Sequence, residues 1–303
     1  MSLVVVGSIA FDSIETPRGR IERGLGGSAV YASIAASYKT SVRMVGIVGE
    51  DFGDEHRAVL EARKIDFEGV ETVKGGRTFF WKGKYGLDPN ERETLATELN
   101  VFKDFKPLLP EGWDETEYLF LANIDPDLQL DILKQCGNDP FTGCDTMNFW
   151  IERKPEQLRR VLERVDLLFI NDSETRQLTG QSNLYRGARE ILSMGPEIVV
   201  VKKGEHGAFY MTDELIYIAP AFPLEDVLDP TGAGDVFAGG FLGSLASDGE
   251  VKEDNLRKAL IYGTILASFT CEKLSVDGIK ERELDEIVDR IGHFVEIMKI
   301  EYK

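Results

Sequence analysis

Cysteine and histidine are scarce in this 303-residue chain, which contains three of each. The cysteines, Cys136, Cys144 and Cys271, are odd in number, far apart and without a CxxC pair, which argues against a disulfide framework or a zinc ribbon. The motifs HExxH and GxSxG are absent, which argues against zincin and α/β-hydrolase chemistry. These absences predict a reduced, cytoplasmic enzyme.

Basic residues are also few: 35 Lys and Arg stand against 53 Asp and Glu, a net charge of −18. Nucleic acids and anionic lipid surfaces are usually bound by a basic face, so we expect neither as a partner. No apolar run reaches the ~18–20 residues that a membrane helix needs. The start, MSLVVVGSIAFDS, lacks the basic region of a signal peptide and predicts a first strand instead.

Short apolar segments alternate with helical patterns along most of the chain. Strands are expected at residues 3–9, 42–48, 118–122, 143–147, 167–170 and 198–202. Repeated strand–helix units predict an α/β fold with a mostly parallel central sheet flanked by helices. Because there is no internal repeat and no Pro- or Ser-rich linker, we expect one domain over residues 1–303.

Residues 69–86 interrupt this alternation. Their sequence, GVETVKGGRTFFWKGKYG, predicts two β segments around the turn at Gly75-Gly76. We expect a hairpin outside the main sheet, and a loop or short helix in the polar stretch 88–98. Lid segments are therefore expected near residues 11–24 and 69–100.

The strongest functional signal is DPTGAGDVFAGG, residues 229–240. Glycines let the backbone approach a ligand closely, and apolar residues at helical spacing follow, so the turn at Gly232, Ala233 and Gly234 begins a helix. The N–H groups and the dipole of a helix N-terminus bind anions. Asp235, in the first turn, is placed to take a proton from a hydroxyl beside such an anion. A glycine-rich N-cap with an acid that complements the helix dipole is the structural alternative.

Four weaker features accompany this motif. GGSAVYAS, residues 26–33, is a second glycine turn entering a helix, which often serves packing alone. Asn171 and Glu174 follow an apolar strand one helical turn apart; they can face one water or Mg²⁺, or form a capping box. VVVKKGEHG, residues 199–207, suits a phosphate site or a tight turn. Asp12 follows the first strand and can accept hydrogen bonds from ligand hydroxyls.

Taken in order, GGSAVYAS, VGEDFGDE, NDSE, VKKGEHG and DPTGAGDVFAGG resemble the motifs of the ribokinase-like sugar kinases, the PfkB family. The resemblance runs from about residue 3 to past residue 270. It implies a mostly parallel sheet flanked by helices, with a small β lid over the acceptor. It also implies transfer of the γ-phosphoryl group of ATP, with Mg²⁺, to an alcohol, so a small sugar, a polyol or a nucleoside is the expected partner.

The resemblance also implies roles for single residues. Asp235 matches the base that deprotonates the acceptor, and Gly232, Ala233 and Gly234 match an amide anion hole. Asp229 matches a position that in some members helps to hold a monovalent cation such as K⁺. The other matches fall into two groups: Asp12, Gly26, Gly27 and Asn123 on the acceptor side, and Asn171, Glu174 (acting on Mg²⁺ through water), Lys202, Gly204 and Gly207 on the nucleotide side.

Tyr31 departs from the family pattern. Family sugar kinases often read GGxxxN, and this chain has Tyr31 where that Asn contacts sugar hydroxyls. A phenol is larger and can stack on a ring, which makes Tyr31 an acceptor-side candidate and favours a nucleoside or a cyclic polyol. The alternative is that Tyr31 only fills the helix face.

Three hypotheses of function follow. The first is an ATP-dependent kinase of a sugar or sugar-like alcohol; the alternatives are a nucleoside kinase of the same fold and a non-catalytic ligand-binding regulatory protein. The intact base and anion hole argue against the last, and the lack of GxGxxG after the first strand argues against a Rossmann dehydrogenase.

Because exposed aromatic patches are usually covered, we also expect a homodimer paired through the lids, whose crowded aromatic residues are Phe79, Phe80, Trp81 and Tyr85.

Overall fold

The computed structural model describes residues 1–299. Its strands and helices, in chain order, are β1 (Ser2–Val6), β2 (Ala10–Thr16), β3 (Gly19–Gly26), α1 (Ser28–Ala36), β4 (Ser41–Gly49), α2 (Asp54–Ala62), β5 (Asp66–Val73), β6 (Phe79–Tyr85), β7 (Arg92–Glu98), β8 (Tyr118–Leu121), α3 (Pro126–Leu133), β9 (Phe141–Asp145), α4 (Asn148–Arg153), α5 (Pro155–Leu162), β10 (Leu167–Asn171), α6 (Asp172–Thr179), α7 (Leu184–Leu192), β11 (Ile198–Lys202), β12 (Ala208–Met211), β13 (Ile216–Ala219), α8 (Ala233–Asp248), α9 (Glu253–Cys271) and α10 (Leu284–Met298). Within these residues, no helix is long and apolar enough to cross a bilayer.

A nine-stranded sheet forms the body of the molecule, in the order β13-β12-β11-β10-β9-β8-β1-β4-β5. Its strands are parallel except at one end, where β12 pairs antiparallel with both β11 and β13. Both faces are covered: α1, α8, α9 and α10 pack on one apolar cluster, and α3, α5 and α7 on the other. The predicted mostly parallel sheet flanked by helices is therefore confirmed.

A second sheet of four strands, β3-β2-β6-β7, forms the lid. Its strands β2 and β6 are parallel, and the two outer pairs are antiparallel. The lid leaves the body after β1 and again after β5, so it consists of two separate stretches of chain. That body and lid make up one domain stays a prediction.

The predicted hairpin over residues 69–86 is wrong. Its first half, β5, pairs in parallel with β4 at the edge of the body, and only its second half, β6, joins the lid. The turn at Gly75-Gly76 therefore links two sheets. Gly49 shows how closely the chain crosses there, because a Cβ on it would lie 2.4 Å from the carbonyl carbon of Arg77.

Two further boundaries differ from the prediction. The polar stretch expected to be a loop or short helix contains β7, whose residues stay polar because this strand pairs only with β6 at the lid edge. The first strand ends at Val6, and the chain then turns into β2, so Asp12 lies on a lid strand.

Candidate active site

The predicted glycine turn begins α8. Gly232 is the N-cap residue, with a φ of +78° in the left-handed region, and a Cβ on it would lie 2.5 Å from the Tyr31 ring. Both the backbone conformation and the space thus favour glycine here. The N–H of Ala233 donates to the carbonyl of Pro230 (3.1 Å). The N–H of Val236 donates to the carbonyl of Gly232 (2.8 Å), whereas the N–H groups of Gly234 and Asp235 have no backbone acceptor among residues 1–299, which leaves donors for an anion.

Asp235 lies in the first turn of α8 and is half-buried. Burial and the negative charge of Asp145 raise the pKa of its carboxyl to about 7, against the opposing charges of Lys202 and Arg92. A carboxylate whose pKa lies near neutrality is suited to accept a proton from a hydroxyl.

A partly buried ion pair lies next to this turn. Lys202 Nζ, at the end of β11, is 2.7 Å from Asp145 Oδ2, at the end of β9. A Cβ on Gly234 would lie 3.3 Å from the same Nζ, so the ammonium group faces the start of α8. Burial lowers the pKa of Lys202, but Asp145 and Glu174 raise it more, so the net shift is upward. The lysine therefore keeps its charge and can attract a phosphate.

Asn171 and Glu174 form a complete capping box at the start of α6. Asn171 Oδ1 accepts from the N–H of Glu174 (2.8 Å), and Glu174 Oε2 accepts from the N–H of Asn171 (2.9 Å). Burial and the charge of Asp145 raise the pKa of Glu174 to about 7. The capping box that was the structural alternative is thus present. The carboxyl of Glu174 is also close enough to Lys202 for the lysine charge to lower its pKa against these two causes.

The acceptor-side residues surround Asp12 on β2. A Cβ on Gly26 would lie 2.0 Å from Asp12 Oδ2, and the nearby N–H of Gly27 acts to lower the pKa of the same carboxyl. Burial, then the charges of Asp229 and Asp235, raise the pKa of Asp12 to about 7. The structure therefore brings Asp12 close to the predicted base.

Tyr31 is buried, with 1% of its surface exposed. The face of its ring packs on Gly232, so this structure does not present that face to an acceptor. Its hydroxyl lies near Ser275, but no atom within residues 1–299 makes a well-aligned hydrogen bond with it. Burial and the charges of Asp12 and Asp229 raise the pKa of the phenol well above its usual value. Tyr31 is therefore a neutral wall beside the glycine turn.

Asp229 joins two loops behind the turn. It is fully buried; Oδ1 accepts from the N–H of Thr231 (2.9 Å), and Oδ2 accepts from the N–H of Ser275 (2.9 Å). Each carboxylate oxygen keeps lone pairs beyond these bonds. An oxygen donor of this kind is compatible with a monovalent cation.

The remaining predicted residues lie at strand ends. Gly204 and Gly207, between β11 and β12, have φ values of +53° and +81°. Asn90, from the lid, occupies the space beside Gly204: its Oδ1 is 2.4 Å from where a Cβ would stand. Asn123, which follows β8, accepts a hydrogen bond from the indole of Trp150 (3.1 Å).

A family model described as pfkB family carbohydrate kinase matches residues 1–281. The chain belongs to the PfkB family. It is therefore an ATP-dependent kinase, a phosphotransferase with the hydroxyl of a small sugar or sugar-like alcohol as acceptor, and the non-catalytic alternative has no support.

Relatives of this PfkB kinase include a cytidine kinase from Thermococcus kodakarensis, 30% identical over 86% of this chain and 94% of the relative. An ATP-dependent ribose-1-phosphate kinase from Halopiger xanaduensis is 28% identical over 84% of this chain and 82% of the relative. The fold is similar to that of the Methanocaldococcus jannaschii nucleoside kinase, with a TM-score of 0.78 at 22% identity, over 96% of this chain and 98% of that structure.

Sequence reasoning missed several residues at the site of this PfkB kinase. Asp145 ends a parallel strand, which is a signal that could have found it. Asn90 and Arg92 lie in the stretch expected to be a loop, so no pattern pointed to them. Within residues 1–299, no group of three or more His, Cys, Asp or Glu side chains is arranged to hold a metal ion. A magnesium ion here would depend on phosphates and water, which is usual for this ion.

Proposed function

We propose that the start of α8 carries out the phosphoryl transfer, with Asp235 as general base. The observation that supports this is the convergence of three features: a carboxyl with a pKa near 7, a left-handed glycine at the N-cap, and the charged Lys202 beside Gly234. Together they support a proton acceptor beside an anion site.

In this proposal the acceptor hydroxyl gives its proton to Asp235 while its oxygen bonds to the γ-phosphorus of ATP. The bond between that phosphorus and the bridging oxygen breaks, and ADP leaves with the electron pair. The N–H groups of the turn at residues 232–234, above all that of Gly234 because that of Ala233 already donates to Pro230, and the ammonium of Lys202 stabilise the charge on the transferred group. Positioning and charge stabilisation supply most of the rate in such reactions.

The nucleotide side comprises the ends of β10 and β11. We assign Gly204 and Gly207 to the turn that holds the nucleotide, and Asn171 and Glu174 to the water shell of Mg²⁺. When bound, Mg²⁺ would neutralise phosphate charge. Asp229 is the residue that would hold a monovalent cation such as K⁺.

The acceptor side comprises Asp12, Gly26, Gly27 and Asn123. We assign Asp12 to the acceptor hydroxyls, because its carboxyl is close to Asp235 yet lies on the lid. Tyr31 bounds this pocket by occupying the space beside the glycine turn.

We infer that the acceptor is a nucleoside. The cytidine kinase relative supports this, because the match covers most of both chains. The replacement of the sugar-binding Asn by Tyr31 also sets the chain apart from kinases of free sugars.

An ADP-release assay over cytidine, other nucleosides, ribose, fructose and ribose 1-phosphate tests this inference. We expect the highest kcat/KM with a nucleoside. A preference for a free sugar or for ribose 1-phosphate would contradict the nucleoside while leaving the kinase activity intact.

A homodimer paired through the lids, and a cytoplasmic location, stay predictions. Phe79 stacks on Phe102 (5.5 Å between ring centroids), and Tyr85 is buried, so these aromatic residues are already partly covered. The exposed apolar side chains of the lid segment 69–100 are instead Leu87, Leu95 and Leu99. Sedimentation of the wild type and of Leu95→Ser would test the dimer: loss of a wild-type dimer in the variant supports it, and a wild-type monomer refutes it.

A further inference from the structure

The lid contacts the body at two points on either side of the transfer site. Tyr85, at the end of β6, has its hydroxyl 3.0 Å from Thr231 Oγ1, directly before the glycine turn of α8. Asn90, in the loop between β6 and β7, fills the space beside Gly204 on the nucleotide side. These contacts fix the lid above the gap between the two turns.

Arg92 lies between these two contacts. It follows Asn90 by two residues, begins β7, and is the cross-strand partner of Tyr85. Its guanidinium carbon is 5.7 Å from the centroid of the Trp81 ring, a distance at which a cation and an aromatic face attract each other. The backbone register and the ring together hold the guanidinium group near the gap.

The charge of Arg92 is not neutralised by an ion pair. Across residues 1–299, no carboxylate oxygen lies within 4.0 Å of its guanidinium nitrogens. Nevertheless its charge reaches three carboxyls whose pKa is raised by burial, and opposes that rise: Asp12 on the acceptor side, Glu174 on the nucleotide side, and Asp235 between them. The Arg92 side chain is exposed and lies beside the Tyr85 hydroxyl, so its guanidinium group borders the gap with donors that an anion can reach.

We propose that Arg92 donates hydrogen bonds to the terminal phosphate of bound ATP, so that the lid supplies a cation to the group being transferred. This rests on the nucleotide placement proposed above. The planar guanidinium group matches two phosphate oxygens, a geometry that an ammonium group cannot reproduce. Since ADP lacks the γ-phosphate, Arg92 should strengthen the binding of ATP and not that of ADP.

Calorimetric titration with two magnesium complexes tests this directly and needs no acceptor. The probes are ADP and the non-hydrolysable analogue adenosine 5′-(β,γ-imido)triphosphate. Because a hydrogen bond to a charged group contributes about 1.5–3 kcal/mol, Arg92→Gln should bind the triphosphate analogue about 10–100-fold more weakly. The affinity of Arg92→Gln for ADP should stay within about twofold of the wild type. The affinity of Arg92→Lys for the triphosphate analogue should lie between those of the wild type and Arg92→Gln.

Lys84→Gln is the matched control. Lys84 is also a lid cation, but it is paired with Glu15 at 2.7 Å, and we expect wild-type affinity for both nucleotides. If Arg92→Gln binds the analogue as tightly as the wild type, or loses both nucleotides equally, the proposal is overturned. A wild type that binds neither nucleotide would instead refute the nucleotide placement on which the proposal rests.

Discussion

The body and the lid of this kinase differ in how their residues are fixed. In the body, four of the five residues in each of β10 and β11 are buried, and the charged pair Lys202–Asp145 at the strand ends is partly buried. In the lid, six of the seven residues of β7 are exposed. The body therefore holds its chemical groups against a packed core, whereas the outer strand of the lid is held by its pairing with β6 and lies in solvent. Changes in the body should affect folding and turnover, and changes in the lid should affect substrate affinity.

The largest effect on stability is expected from Asp145→Asn. The substitution leaves the partly buried ammonium of Lys202 without its charged partner, and an unsatisfied group of this kind costs about 1–3 kcal/mol. Urea unfolding measures this free energy. The double variant Asp145→Asn/Lys202→Met should recover much of the loss, because it removes the unpaired charge. Equal stability of the single variant and the wild type would show that the body does not depend on this pair.

Gly232→Ala should reduce kcat by about 100–1,000-fold, the effect of losing one donor to the reacting anion. The added methyl group collides with the Tyr31 ring, and the left-handed φ of +78° disfavours alanine. The matched control is Gly249→Ala at the other end of α8, which also has a left-handed φ, +75°. That control should lose stability and keep its kcat; a similar loss of kcat in both variants would contradict a special role for the glycine turn.

Tyr85→Phe tests the lid. It removes the hydroxyl that contacts Thr231, and a net hydrogen-bond contribution of about 0.5–1.5 kcal/mol predicts a KM for the acceptor raised about 2–10-fold. Steady-state kinetics should show little change in kcat. Thr231→Val should have a similar effect, and the double variant should be no worse than either single one. Additive losses would mean that the two hydroxyls act separately.

Arg18→Ala should have the smallest effect. Arg18, in the turn between β2 and β3, pairs with Asp226 of the body, but both side chains are at least half exposed. Surface pairs contribute about 0–1 kcal/mol, so KM values should change by less than about fivefold. A much larger rise in the acceptor KM would show that the contact at Arg18, rather than the contact at Tyr85, holds the lid on the body.

The same contrast explains which features could be predicted from the sequence. Apolar strands such as β10 and β11 are visible because burial on both faces makes the first four residues of each apolar. The start of α8 is visible because glycines and an acid precede an apolar helix. The strand β7, with sequence RETLATE, is polar because it is exposed, so nothing local separates it from a loop, and Arg92 was missed with it. The pair Lys202–Asp145 joins residues 57 positions apart, a contact that no local pattern reveals.

The central claim is that Asp235 is the base, and the pH dependence of Asp235→Asn against the wild type tests it most directly. A base works only when deprotonated, so with a pKa of about 7 the wild-type kcat/KM should be present above neutrality and be lost as pH falls through 7. The variant should lose about 10²–10⁴-fold in kcat at its plateau while its affinity for the magnesium complex of ADP stays nearly unchanged. A variant that keeps more than half of the wild-type kcat, with the same pH profile, would remove Asp235 from this role.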